Sequence, residues 1–165
     1  MRTIITACLA LLLVLTLAWP AQAARVGSSA PDFDLMTLNG HKVNLESYSG
    51  QGPLLIFFWT TWCHFCESEI HAIQDLKDEY AANGLQFLGI NPGWRDSEQR
   101  ARSYRRRQGV DLTMAFDRSS RLGSRYMVQG VPTLFLVDNE GVIQYRGHGI
   151  TQDLRSILDR LLTEG

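Results

Sequence analysis

Cys63 and Cys66 flank His64-Phe65, a spacing at which two thiols can close on each other as a disulfide or exchange electrons with another one. The pair sits between two recognisable elements. Upstream, Leu54 to Trp59 is an unbroken apolar and aromatic run after Gly52-Pro53, as expected for a central strand covered on both faces. Downstream, Ile70, Ile73, Leu76, Lys77 and Tyr80 recur at helical spacing, with Asn83-Gly84 as a stop. A thiolate at Cys63 would face the free backbone N–H groups and positive dipole end of that helix, both of which lower its pKa. Cys63 is therefore the expected nucleophile. Cys66, one turn further in, is expected to be more buried and to release a mixed disulfide by attacking Cys63.

The rest of the chain supplies the elements that must hold this junction. Leu85 to Ile90 predicts a second strand, giving a strand–helix–strand unit with parallel pairing and a right-handed crossover. Phe33 to Leu38 and Lys42 to Leu45, around Asn39-Gly40, predict a small leading hairpin. Ser97 to Gln108 predicts an arginine-rich helix capped by Ser97. Arg100, Arg102, Arg105, Arg106 and Arg107 are read as a solvated face, with a docking patch for an acidic partner or membrane surface as the alternative. Met114 to Phe116 predicts a short strand and Ser120 to Met127 a short helix ending before Gly130. Thr133 to Val137 and Val142 to Arg146 predict an antiparallel hairpin through Asp138-Gly141. Leu154, Ile157, Leu158, Leu161 and Leu162 predict a terminal helix with Thr151 as cap.

The chain has 165 residues, 45% of them hydrophobic, which fits one domain with a substantial core. Arg2, the apolar run from Ile4 to Trp19 and the ending Ala21-Gln22-Ala23 read as a signal peptide over 1–23, cleaved after Ala23. An uncleaved anchor is the alternative, and either exports the domain 24–165 to the periplasm or another extracytoplasmic compartment. Cys8 is read as apolar filler in that leader. Net charge is −1, so nothing points to a nucleic-acid partner. Once the leader is gone only Cys63 and Cys66 remain. So short a loop contributes little as a staple, and the pair is better read as chemistry than as scaffolding.

The stretch Phe58-Trp59-Thr60-Thr61-Trp62-Cys63-His64-Phe65-Cys66 resembles the active-site segment of thioredoxin-like proteins. Gly130-Val131-Pro132-Thr133 resembles the loop in which that superfamily places a cis proline against the cysteine pair. Gly27 to Phe33, the Asn39-Gly40 turn, Glu69 and the Asp138 to Gly141 hairpin extend the match to the bacterial exported subfamily that includes TlpA, ResA and the cytochrome c maturation reductases. The resemblance implies an α/β thioredoxin-like fold, a mixed central sheet flanked by helices with an N-terminal hairpin extension. It also implies a cis Val131–Pro132 bond. Pro132 lacks an N–H, and the Val131 backbone is left to bind an extended substrate strand across Cys63.

Three positions depart from the wider pattern. Phe57 stands where thioredoxin has a buried aspartate, which removes that proton acceptor. The subfamily resemblance makes Glu69 the replacement, a partly buried carboxylate with a raised pKa that takes the Cys66 proton; a solvent-facing glutamate is the alternative. Phe65 occupies a position where many members have proline. His64 would stabilise a neighbouring thiolate when charged and make the pair more oxidising. Trp59 and Trp62 are read as shielding and substrate platform. His41, His71 and His148 are isolated in sequence and read as ordinary surface or core residues.

The expected activity is that of an exported protein-disulfide reductase, with Cys63, Cys66, Glu69 and Pro132 catalytic and Trp62, His64 and Val131 binding substrate. The resemblance implies a membrane thiol reductase as electron donor and apocytochrome c or another exported protein as substrate. No metal or organic cofactor is called for. One rival uses the same residues in the opposite direction, as dithiol oxidase or isomerase. Another is a Cu(I) delivery protein holding metal on Cys63 and Cys66, and a third is a binding module whose disulfide never turns over.

Overall fold

The computed structural model describes residues 24–164; the signal peptide expected over 1–23, Cys8 included, lies outside them. The strand predicted at Leu54 forms β3 (Leu54–Phe58), buried along its whole length. Its side chains alternate between two cores: Leu55, Phe57 and, just beyond, Trp59 enter one, and Leu54, Ile56 and Phe58 the other. It is flanked by β4 (Gln86–Asn91), parallel with Ile56 opposite Leu88, and by β6 (Thr133–Val137), antiparallel with Ile56 opposite Phe135.

Around this centre lie β1 (Asp34–Thr37), β2 (Lys42–Asn44), β5 (Met114–Phe116) and β7 (Ile143–Gly147), giving one mixed sheet in the order β2-β1-β5-β4-β3-β6-β7. The leading hairpin is thus no appendage. β1 continues the sheet by pairing antiparallel with β5, Met36 opposite Phe116. The last strand begins one residue later than expected, because Val142 bridges Ser29 and the β6–β7 register shifts at Leu136/Val137.

The helices are α1 (His64–Tyr80), α2 (Glu98–Arg107), α3 (Leu122–Arg125) and α4 (Gln152–Glu164). Ile70, Ile73 and Leu76 of α1, Ala101 and Tyr104 of α2, and Leu154 and Leu158 of α4 share one buried cluster with Leu55 and Phe57. The opposite face is covered by α3 and by the segment preceding β1: Ala30 and Phe33 pack with Phe58, Leu122, Tyr126 and Phe135. That segment is a strap. Gly27 donates its backbone N–H to Ile143 O at 2.8 Å beside β7, and the chain then crosses the face to reach β5 as β1.

Both predicted caps form: Ser97 Oγ accepts the Arg100 N–H at 3.3 Å and Thr151 Oγ1 the Leu154 N–H at 3.2 Å. The helix expected over Ser120–Met127 shrinks to α3. Asp117 accepts the Leu122 N–H at 2.7 Å, fixing its start, and Met127 turns to φ +51° just past its end. Several arginines of α2 are engaged within the domain. Arg102 pairs with Glu98, Arg105 donates to Asn39 Oδ1 at 2.8 Å and Arg106 to Ser103 Oγ at 3.2 Å. No helix among the described residues is long and apolar enough to cross a membrane.

Candidate active site

Where β3 ends, Thr60, Thr61 and Trp62 turn the chain into α1, and Cys63 occupies the residue before its first helical position. Cys63 and Cys66 are joined as a disulfide. Cys63 Sγ accepts the Cys66 backbone N–H at 3.1 Å, so the sulfur fills the place of a helix N-cap oxygen. The same group would stabilise a thiolate on the reduced pair. Cys63 keeps 8% of its surface exposed and Cys66 none, the asymmetry expected between an attacking and a resolving cysteine.

The Val131–Pro132 peptide is cis, and Val131 O lies 3.5 Å from Cys63 Sγ. Thr133 Oγ1 ties this loop down by donating to Gly130 O at 2.7 Å. A groove of about 490 Å³ opens beside it, lined by Phe65, Ser68, Glu69, Val131, Pro132 and His148. Phe65, 76% exposed, and Trp62, 54% exposed, present aromatic surface on the turn and first helical residues around Cys63. The Trp62 indole is held by its Nε1–H, which donates to Trp94 O at 2.8 Å.

Glu69 lies one turn beyond Cys66 on the same helix, a spacing that puts both on one face. Its Oε1 accepts the Ile150 N–H at 2.7 Å. Burial pushes its carboxyl above the usual range, and the Ile150 bond offsets this only in part. The solvent-facing alternative for this residue therefore does not describe its surroundings.

Not every residue named from the sequence reaches the groove. His64 is exposed on the first turn of α1, its ring 6.2 Å from that of Phe65, and is not part of the lining. Trp59 is wholly buried, its ring 5.2 Å from that of Tyr104 and tilted against it, so it can shield but cannot act as a substrate platform. The expectation for it is corrected by strand alternation, which sends it to the core with Phe57. His148 moves the other way: β7 delivers it into the groove, where Nδ1 lies 2.9 Å from Pro132 O.

One group passed unnoticed in the sequence. The Asp96 side chain is fully buried. It accepts the Thr61 N–H at 2.7 Å, the Thr61 hydroxyl at 2.9 Å, the Asn91 amide at 2.7 Å and the Ser97 N–H at 2.8 Å. Burial alone would raise its pKa, but these hydrogen bonds outweigh it and hold the carboxyl below its ordinary value.

Comparison with known proteins agrees with this geometry. Residues 26–146 match the model of the AhpC/TSA family. The thiol-disulfide oxidoreductase ResA of Geobacillus kaustophilus is 35% identical over 122 residues, covering 74% of this chain and 68% of that protein. The thioredoxin-like protein YneN of Bacillus subtilis is 34% identical over 119 residues, covering 72% and 68%. Among solved structures, a putative thiol:disulfide interchange protein DsbE from Chlorobium tepidum superposes with a TM-score of 0.72 at 25% identity, over 86% of this chain and 98% of that one. With a cysteine pair capping α1, a cis proline beside it and a matched span that runs from the strap to β7, the chain belongs to the AhpC/TSA family as a thioredoxin-like thiol–disulfide oxidoreductase.

Proposed function

We propose that this oxidoreductase works outside the cytoplasm as a reductant of disulfides in exported proteins, apocytochrome c among them. The observation that carries the direction of attack is the Cys63 sulfur capping α1 through the Cys66 N–H, on a residue that keeps 8% of its surface accessible while Cys66 keeps none. In the reduced protein, the Cys63 thiolate attacks one sulfur of a substrate disulfide. That bond breaks, and the departing substrate thiolate takes up a proton. Cys66 then loses its proton to Glu69 and attacks Cys63 Sγ, expelling the second substrate thiolate. Two electrons have passed to the substrate, and the protein is left with its Cys63–Cys66 disulfide. A membrane dithiol reductase restores the reduced pair, since an exported compartment lacks the cytosolic thiol supply.

Val131 and Pro132 are assigned to docking an extended substrate strand, with Trp62 and His64 on the side of the cysteine turn. The groove beside Pro132 and the exposed Trp62 ring support that assignment. The leading residues up to Ala23 serve as the export signal or as an anchor.

The test is to express Cys66→Ala in the native compartment and identify the proteins left disulfide-linked to Cys63. Exported cysteine-containing substrates are expected, and Cys63→Ser should abolish both the trapping and the reduction of insulin. Insulin reduction that survives in Cys63→Ser would refute the assignment.

A further inference from the structure

The buried Asp96 carboxylate is not used by the chemistry above, yet it touches the turn that delivers the nucleophile. Two segments meet on it, the turn before α1 and both ends of its own loop. Thr61, between β3 and Cys63, gives both its N–H and its hydroxyl; Asn91, the last residue of β4, gives its amide; Ser97, the cap of α2, gives its N–H. The carboxylate thus braces the β3–α1 junction against the β4–α2 junction. Trp62 is drawn to the same loop through its bond to Trp94 O. The loop itself is shaped to reach: Gly93 adopts φ +74°, where a Cβ would come within 2.9 Å of Ser120 Oγ and 3.0 Å of Asp117 O, and Arg95 adopts φ +50°.

We propose that Asp96 is a positioning residue for the cysteine pair, holding the Thr60–Trp62 turn so that Cys63 Sγ stays on the Cys66 N–H, and so setting the acidity of the Cys63 thiol. The inference rests on the assignment of Cys63 as nucleophile. Thiolate stabilisation at a helix N-terminus depends on aim, because the dipole and free N–H groups act within the first turn. A loosened turn lets the sulfur leave that position, and the Cys63 pKa rises. Loss of the Asp96 charge would act in the opposite sense, since removing a nearby anion favours a thiolate. The layout makes this the smaller effect. Cys63 Sγ points to Val131 O on the β6 side of β3, whereas Asp96 follows β4 on the other side. Arg100, with Nε 3.4 Å from Asp96 Oδ1, further offsets the charge.

The experiment measures iodoacetamide labelling of the reduced full chain against pH, with the labelled cysteine identified by mass spectrometry and thermal unfolding recorded in parallel. Asp96→Ala is expected to raise the labelling midpoint of Cys63 by about one unit, Asp96→Asn by less. Thr61→Val keeps the charge and removes one bond, so it should raise the midpoint by about half a unit, and it keeps the test decisive if Asp96→Ala does not fold. A purely structural role lowers the unfolding temperature and leaves the midpoint in place. Unmoved midpoints in Asp96→Asn and Thr61→Val, or a downward shift in the Asp96 variants, would overturn the proposal. First labelling at Cys66 in the unaltered protein would overturn the nucleophile assignment and this proposal with it.

Discussion

Glu69 and Ile150 are joined by a 2.7 Å hydrogen bond from the Ile150 N–H to Oε1, which fastens the helix of the cysteines to the segment leading into α4. The bond leaves the second carboxylate oxygen for proton transfer. Glu69→Gln keeps an acceptor for Ile150 but cannot take a proton at neutral pH. Decay of a trapped Cys63 mixed disulfide, followed by stopped flow, is expected to slow by roughly ten- to a hundredfold. Alkylation of Cys63 should be nearly unchanged.

The same residue gives a pH dependence of stability. Its folded pKa is raised by burial, so the folded state holds the proton more tightly than the unfolded chain. Below the unfolded pKa both states are protonated and the buried neutral carboxyl costs little. As pH climbs through the folded pKa the burial penalty on the anion appears and stability falls. Glu69→Gln stays neutral throughout, so its unfolding temperature relative to the unaltered protein should increase as pH rises above the ordinary carboxylate range, about 4. A flat difference with rising pH would mean that the carboxyl titrates alike in both states.

The direction of electron flow is read from the potential of the Cys63–Cys66 couple. Helix capping of Cys63 pushes towards the oxidising end, and the proposed reductase role requires a value towards the reducing end. A value between about −180 and −270 mV is expected from equilibration with glutathione. His64→Ala should move it more negative by up to about 30 mV, a tenfold change in the equilibrium. A potential near about −120 mV, the strong-oxidant reference, would favour the oxidase direction.

Gly52 marks a close approach of two backbones just before the paired strands β3 and β4. It sits at φ +115°, and a Cβ there would meet Gly84 O at 2.0 Å. Backbone must move to accept it, so Gly52→Ala is expected to cost upwards of about 2 kcal/mol in urea unfolding. Gly130→Ala has open space at its Cβ and should stay within about 0.5 kcal/mol of the unaltered protein.

The centre of this fold was readable because its signals were uninterrupted: the apolar run of β3, the helical spacing of Ile70, Ile73 and Leu76, and the cysteines between them. Glu69 and Pro132 were reached through resemblance, and the structure supplied what spacing could not, the half-buried carboxylate and the groove. Asp96 was illegible for a physical reason. In sequence it is one polar residue in Arg95-Asp96-Ser97-Glu98, and its setting is completed by Thr61, which comes from 35 residues upstream to join Asn91 and Ser97 of its own loop. His148 was passed over likewise, since only the end of β7 places it against Pro132. Trp59 could have been read correctly, for it shares strand parity with Leu55 and Phe57.

The strap across the α3 face also orders events in time. Its residues leave the ribosome ahead of the whole sheet, yet Gly27 and Ala30 donate to Ile143 O and Gly141 O, and Ser28 O accepts the Ile143 N–H, more than a hundred residues later. Until β7 exists, the strap has no backbone anchor at Gly27 to Ala30, and the apolar surface around Phe58, Tyr126 and Phe135 has only a loosely held cover. Such distant contacts are slow to form and leave nascent chains prone to clumping. That face is therefore most exposed to misassociation in the interval before β7 pairs with β6 and catches the strap.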